Sequence, residues 1–100
     1  MGHHGEYKVP GGKLVKVDFA VSDGALRDVV VSGDFFLYPE ETLEDIRASL
    51  EGLPSTTDEP GVADRIRQRI KPGAELLGTS PEAIAIAVRR ALTEAPPASV

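Results

Sequence analysis

Residues 14–22, LVKVDFAVS, alternate in character: Val15, Val17, Phe19 and Val21 fall on one side of an extended chain, Lys16, Asp18 and Ser22 on the other. A period of two is that of a strand with one face in a core. Ser22-Asp23-Gly24 follows, the Asp-Gly signal of a tight hairpin. A second strand then returns through Leu26–Ser32, with Val29-Val30-Val31 as its β-branched centre. Three consecutive valines suit a central strand covered on one side by helices. The chain is thus committed early to an antiparallel hairpin that needs a helical layer.

The rest of the sequence supplies one. Gly33-Asp34 breaks the second strand, and Phe35–Tyr38 is a short apolar run that reads as a candidate third strand. Phe35, Phe36 and Tyr38 are most simply core. The alternative is that part of this run meets a partner, since aromatics are enriched at interface cores. Pro39 is placed to open a helix, followed by Glu40 and Glu41 at the positive end of its dipole. Leu43, Ile46 and Leu50 make the expected buried stripe, and Gly52 the left-handed terminus. After the polar loop 53–61, with Thr57 or Asp58 as cap, Val62, Ile66 and Ile70 mark a second helix. Lys71 before Pro72 stops it. Ser80-Pro81-Glu82 opens a third helix, with Ile84, Val88 and Leu92 on one face and Ala85, Ala87 and Ala91 permitting close helix packing. The pattern is α+β: a two-layer sandwich with a small antiparallel sheet (the hairpin plus a possible third strand) packed against about three helices. Its 100 residues make one domain, with 1–7 and 94–100 expected to be flexible tails.

Composition removes several kinds of chemistry. There is no cysteine, hence no disulfide framework, thiolate metal site or persulfide transfer, and such a chain fits the cytoplasm. A net charge of −5 argues against a general nucleic-acid binder. No stretch has the length and hydropathy of a membrane span, and the N-terminus lacks the apolar segment of a secretory signal. The charge is uneven: eight acids against Arg47 between Asp34 and Glu59, then a base-rich stretch from Val62 to Leu92. Two solvated helix faces explain this most simply; a face that docks an oppositely charged partner is the sharper reading.

The motifs with catalytic overtones fail on spacing. Pro10-Gly11-Gly12-Lys13 suggests a phosphate-binding loop, but Leu14 stands where Ser or Thr is required, no earlier glycine is correctly spaced, and a strand follows instead of a helix. What survives is a Gly-Gly turn whose backbone N–H groups, with Lys8 and Lys13, could approach an anion bound elsewhere. The only histidines, His3 and His4, lie in the expected tail, which leaves no base for a nucleophile and no fixed metal geometry. Asp34, flanked by apolar residues, is more simply a turn cap than a catalyst.

Taken together, KVPGGKL, LVKVDFAVSDGALRDVVVSGDFF, LYPEETLEDIRASLEGL and GTSPEAIAIAVRRAL resemble the accessory (C-terminal) domain of lipoate–protein ligases. More narrowly they resemble the free-standing small subunit of ligases split into two polypeptides. The resemblance runs from Lys8 to Leu92. It implies a small antiparallel sheet against helices, a fold shared with sulfur-transfer proteins that need the reactive cysteine this chain lacks. It also implies a role. A separate catalytic subunit binds lipoate, ATP and Mg²⁺, forms lipoyl-AMP and passes the lipoyl group to a carrier-domain lysine, while the accessory subunit supports adenylation without a nucleophile or bound cofactor of its own. On this view Lys8, Gly11, Gly12, Lys13, Asp34, Phe35 and Phe36 lie near the partner or its adenylate, and lipoyl carrier domains are met only indirectly. The alternative is a non-catalytic adaptor of the same fold serving another cofactor- or sulfur-transfer partner.

Overall fold

The structure is a computed structural model, and it describes residues 2–93. The expected hairpin is present: β2 (Leu14–Ser22) and β3 (Ala25–Gly33) pair antiparallel around a turn at Asp23-Gly24, both with positive φ. Val15, Val17 and Phe19 are buried, as are Leu26, Val29 and Val31 across the ladder. Val30 points the other way and is 54% exposed, because helices cover only one face of the sheet.

The third strand of this sheet is not the expected one. Residues Gly2–Lys8 form β1, paired antiparallel with β2 from Gly2↔Ala20 to Lys8↔Leu14. The expected flexible tail at 1–7 is therefore corrected over residues 2–7; Met1 and the expected tail at 94–100 lie outside the described residues. With the order β1-β2-β3, the central strand is β2, and β3 is at the edge. The polar, glycine-bearing GHHGEYK hides its strand character because its inward residue at mid-strand is Gly5, which is buried. A Cβ there would collide with the Ala87 carbonyl oxygen and lie 2.7 Å from the Ala91 amide nitrogen. Ala87 and Ala91, two of the small residues expected to permit close helix packing, here also let a strand approach a helix.

The run after Gly33 becomes β4 (Phe36–Tyr38), which pairs with β5 (Glu75–Leu77) as a separate ribbon. Pro39 does not open the next helix: α1 spans Glu41–Leu50 with Glu40 as its N-cap, and the Pro39 carbonyl accepts from the Thr42 amide at 2.9 Å. Its buried stripe is Thr42, Ile46, Ser49 and Leu50, and Leu43 lies off it, 39% exposed. Helix α2 (Glu59–Arg69) starts at Asp58, whose carboxylate accepts from the Gly61 amide at 2.9 Å, and Ile70 is its C-cap. Helix α3 (Pro81–Thr93) starts as expected, with Ser80 Oγ accepting from the Ala83 amide at 3.1 Å. Helix α3 lies across β1 and β2, α1 lies against β3, and α2 packs on both helices. One core joins the layers, centred on Val15, Val17, Leu26, Ile46, Leu50, Val62, Ile66, Ile84 and Val88.

The polar network fastens the edges of this core. Phe19 faces a bulge in β3, where Asp28 adopts φ 55° and the ladder slips by one residue. Much of the basic stretch is spent on the fold: Arg89 donates to the Ser55 and Thr57 carbonyls at 3.0 Å each, Arg67 pairs with Asp64 and Glu82, and Lys71 reaches Asp45 at 3.4 Å.

Candidate docking site

The Pro10–Lys13 turn is closed on itself. The Val9 amide donates to the Lys13 carbonyl at 3.2 Å and the Gly12 amide to the Val9 carbonyl at 2.8 Å, with Gly11 at φ 70°. The Lys13 amide donates to the Gly78 carbonyl at 3.0 Å. Two of the amides that an anion-binding nest would use are thus already committed. The Gly11 amide is not among the committed donors, and the side chains of Lys8 and Lys13, both exposed residues, supply the positive charge near the turn.

Most of the site residues expected from the sequence come together here. The Leu14 carbonyl accepts from the Asp34 amide at 3.3 Å, which sets the Gly33-Asp34-Phe35 corner beside the turn. A Cβ on Gly33 would strike the same carbonyl and sit 2.8 Å from the Phe35 ring. A Cβ on Gly78 would meet Lys13 Cγ at 2.5 Å and Phe35 Cβ at 3.7 Å. Gly12, Lys13 and Phe35 are therefore packed around Gly78, with Gly33 against the far side of Phe35. Gly78 opens the GTSPEAIAIAVRRAL segment but is not among the site residues expected from the sequence. Its signal was a glycine just outside a capped helix, which here has φ 88°. Lys8 stands opposite Leu14 in the β1–β2 ladder, and Asp34 is exposed on the rim. In the next residue of the Gly78 loop, the Thr79 hydroxyl is buried with no hydrogen-bond partner among the described residues.

Phe36 leaves this cluster for a different surface. The β4–β5 ribbon turns Leu37 and Leu76 toward the body, with Leu37 9% exposed. Its other face holds Phe36 opposite Leu77, and Tyr38 opposite Glu75. Phe36, Tyr38 and Leu77 are 59%, 50% and 49% exposed, which corrects the reading of Phe36 and Tyr38 as core. Leu43 of α1 adjoins them, and a groove of about 640 Å³ runs between Phe35, Phe36, Leu37, Tyr38, Glu40 and Leu43.

The histidines, expected on a loose end, are held by the sheet. His3 stacks on Phe19 with 5.6 Å between ring centroids, and its Nδ1 lies 3.1 Å from the Ala91 carbonyl. His4 places Nε2 2.6 Å from a Glu6 carboxylate oxygen and Nδ1 2.6 Å from one of Asp18. Those two bonds, the one to Glu6 first, raise its pKa above the ordinary histidine value. With both nitrogens engaged, the ring is a cross-strand fastener, not a free base. Among the described residues no group of three His, Asp or Glu is placed to hold a metal ion, and no helix is long and apolar enough to cross a membrane.

No family model and no curated protein matches the chain. Among solved structures it is similar to a chain from an archaeal lipoylation system of Thermoplasma acidophilum, comprising a bipartite lipoate protein ligase and its E2 lipoyl domain. The likeness covers 89% of this chain and 93% of that one, with 24% identity and a TM-score of 0.64. The α+β fold described above is thus one found in a lipoylation system built around a two-part ligase.

Proposed function

We propose that this chain is the accessory subunit of a two-part lipoate–protein ligase. The observation that carries the reading is the fold it shares, over nearly its whole length, with a chain of the bipartite ligase system. The local geometry agrees: the turn and the Gly33–Phe35 corner, two of the segments that resemble the family, meet around Gly78.

In this reading the chemistry belongs to a cytoplasmic catalytic subunit. There the lipoate carboxylate attacks the α-phosphorus of ATP, giving lipoyl-AMP and pyrophosphate, and a carrier-domain lysine then takes the lipoyl group and releases AMP. In this reading ATP and Mg²⁺ sit in that subunit. The accessory chain docks beside the adenylate site, orders the surrounding loops and keeps water from the activated acyl group. Lys8 and Lys13 supply positive charge near the nucleotide as negative charge develops.

The test is a lipoyl-AMP assay on the candidate catalytic subunit with and without this chain. Adenylation should need both, and the isolated chain should be inert. Activity in the chain alone, or full activity of the partner without it, would sink the proposal. Lys13→Ala should slow adenylation while the complex still forms; an unchanged rate removes Lys13 from the role.

A further inference from the structure

Of the large hydrophobic residues that are markedly exposed, four cluster (Phe36, Tyr38, Leu43 and Leu77), and Val30 lies apart on the open face of the sheet. The cluster follows from the strand period: in β4 and β5 alternate residues turn outward, and here the outward ones are mostly large and apolar. Beyond its pairing with β4, strand β5 is tied to the body by Leu76 against the core and, just past its end, by the Gly78 carbonyl that accepts from the Lys13 amide, while β4 meets α1. A two-stranded ribbon is marginal by itself, and an apolar patch rimmed by polar groups marks an interaction site.

The rim says what kind of surface covers it. Glu40 lines the groove, and Glu75 faces Tyr38 across the ribbon. Neither carboxylate has an ion-pair partner among the described residues, whereas Asp45, Glu44 and Glu51 of α1 and its C-cap are paired with Lys71 and Arg47. An apolar centre edged by uncompensated acids is complementary to an apolar recess edged by Lys and Arg. Phe35 connects the two regions, since it lines this groove and also packs beside Gly78 under Lys13.

We infer that the outer face of the β4–β5 ribbon, with Phe36 and Leu77 at its centre and Leu43 beside them, is where the catalytic subunit docks, through an apolar recess rimmed by basic side chains. This rests on the function proposed above. Docking there places the Lys13 turn at the edge of the interface and not beneath it.

The experiment measures affinity for the candidate catalytic subunit by titration calorimetry, for the wild-type chain and for variants checked by circular dichroism and thermal melting. Phe36→Ala and Leu77→Ser should each weaken binding by about 30-fold, the scale of a central interface residue. Glu40→Lys with Glu75→Lys should weaken it further and flatten its dependence on salt, while Val30→Ser should leave affinity unchanged. If the wild-type chain does not bind, the two-part ligase reading falls and the inference falls with it. If it binds and the ribbon variants, still folded, bind equally well, the docking face is wrong and the ligase reading stands. Self-association of the wild-type chain in light scattering, abolished by Phe36→Ala, would overturn the inference in favour of a second copy.

Discussion

Glu51 reaches back from the end of α1 to Asp28, its Oε1 accepting the Asp28 amide at 2.8 Å, while its Oε2 accepts the neighbouring Val29 amide at 3.2 Å. These are the amides that the β3 bulge withdraws from the ladder, so one carboxylate satisfies two donors and ties helix to strand. Glu51→Ala should lower stability by about 2 kcal/mol, the usual worth of hydrogen bonds to a charged group at a partly buried site. Glu51→Gln, which keeps at most one of the two acceptors, should lose about half as much. Urea denaturation followed by circular dichroism checks both; a loss under about 0.5 kcal/mol for alanine would deny the link its role.

Gly5→Ala should be among the most damaging small changes in the chain. The added methyl meets the Ala87 carbonyl oxygen, and backbone on both sides has little room to give. A loss of about 2–3 kcal/mol is expected, as for overpacking elsewhere. Limited proteolysis should then cut in β1 before the rest of the domain, which would distinguish strand release from global unfolding.

Thr79→Val should stabilise the chain or leave it unchanged. The substitution keeps the side-chain shape and removes a buried hydroxyl without a partner, with an expected gain of up to about 1 kcal/mol. A clear loss of stability in the melting curve would mean that the hydroxyl is satisfied in solution.

The His4 fastener makes a small part of stability pH-dependent. Its folded-state pKa is raised above 6.5 by Glu6 and Asp18, so the folded state holds the proton more tightly than the unfolded chain. The stabilisation is fully present below pH 6.5 and is lost as pH rises through the folded pKa. The side chain is 47% exposed, so solvent screening keeps the effect modest. The melting-temperature difference between wild type and His4→Ala should be larger at pH 6 than at pH 9; a difference that grows with pH would refute this account.

What could be read from the sequence was whatever one strand or helix settles by itself. The alternation of Val15, Val17 and Phe19, the Asp58 and Ser80 caps and the Asp23-Gly24 turn are local signals, and the structure keeps them. What escaped depends on contacts far along the chain. β1 is a strand because Gly5 fits against Ala87 and Ala91, and GHHGEYK alone carries no such information. The Phe35–Tyr38 run reads as a candidate third strand of the hairpin sheet; Phe36–Tyr38 does form a strand, but β5, more than thirty positions later, draws it into a separate ribbon and turns Phe36 outward. Leu43 fitted a helical stripe on spacing, yet the stripe that closes on the core passes through Thr42 and Ser49. At the candidate site the turn and the Gly33–Phe35 corner were each visible, and the residue that joins them, Gly78, had only its own backbone to announce it.

The Lys13 amide is already bound to Gly78 before any partner arrives. The turn is therefore preorganised: the entropy of fixing it is lost when the chain folds, not when the subunits meet. A substitution that loosens this link should then appear twice, as a slightly less stable subunit and as a slower approach to a productive complex, even though Gly78 need touch neither nucleotide nor partner.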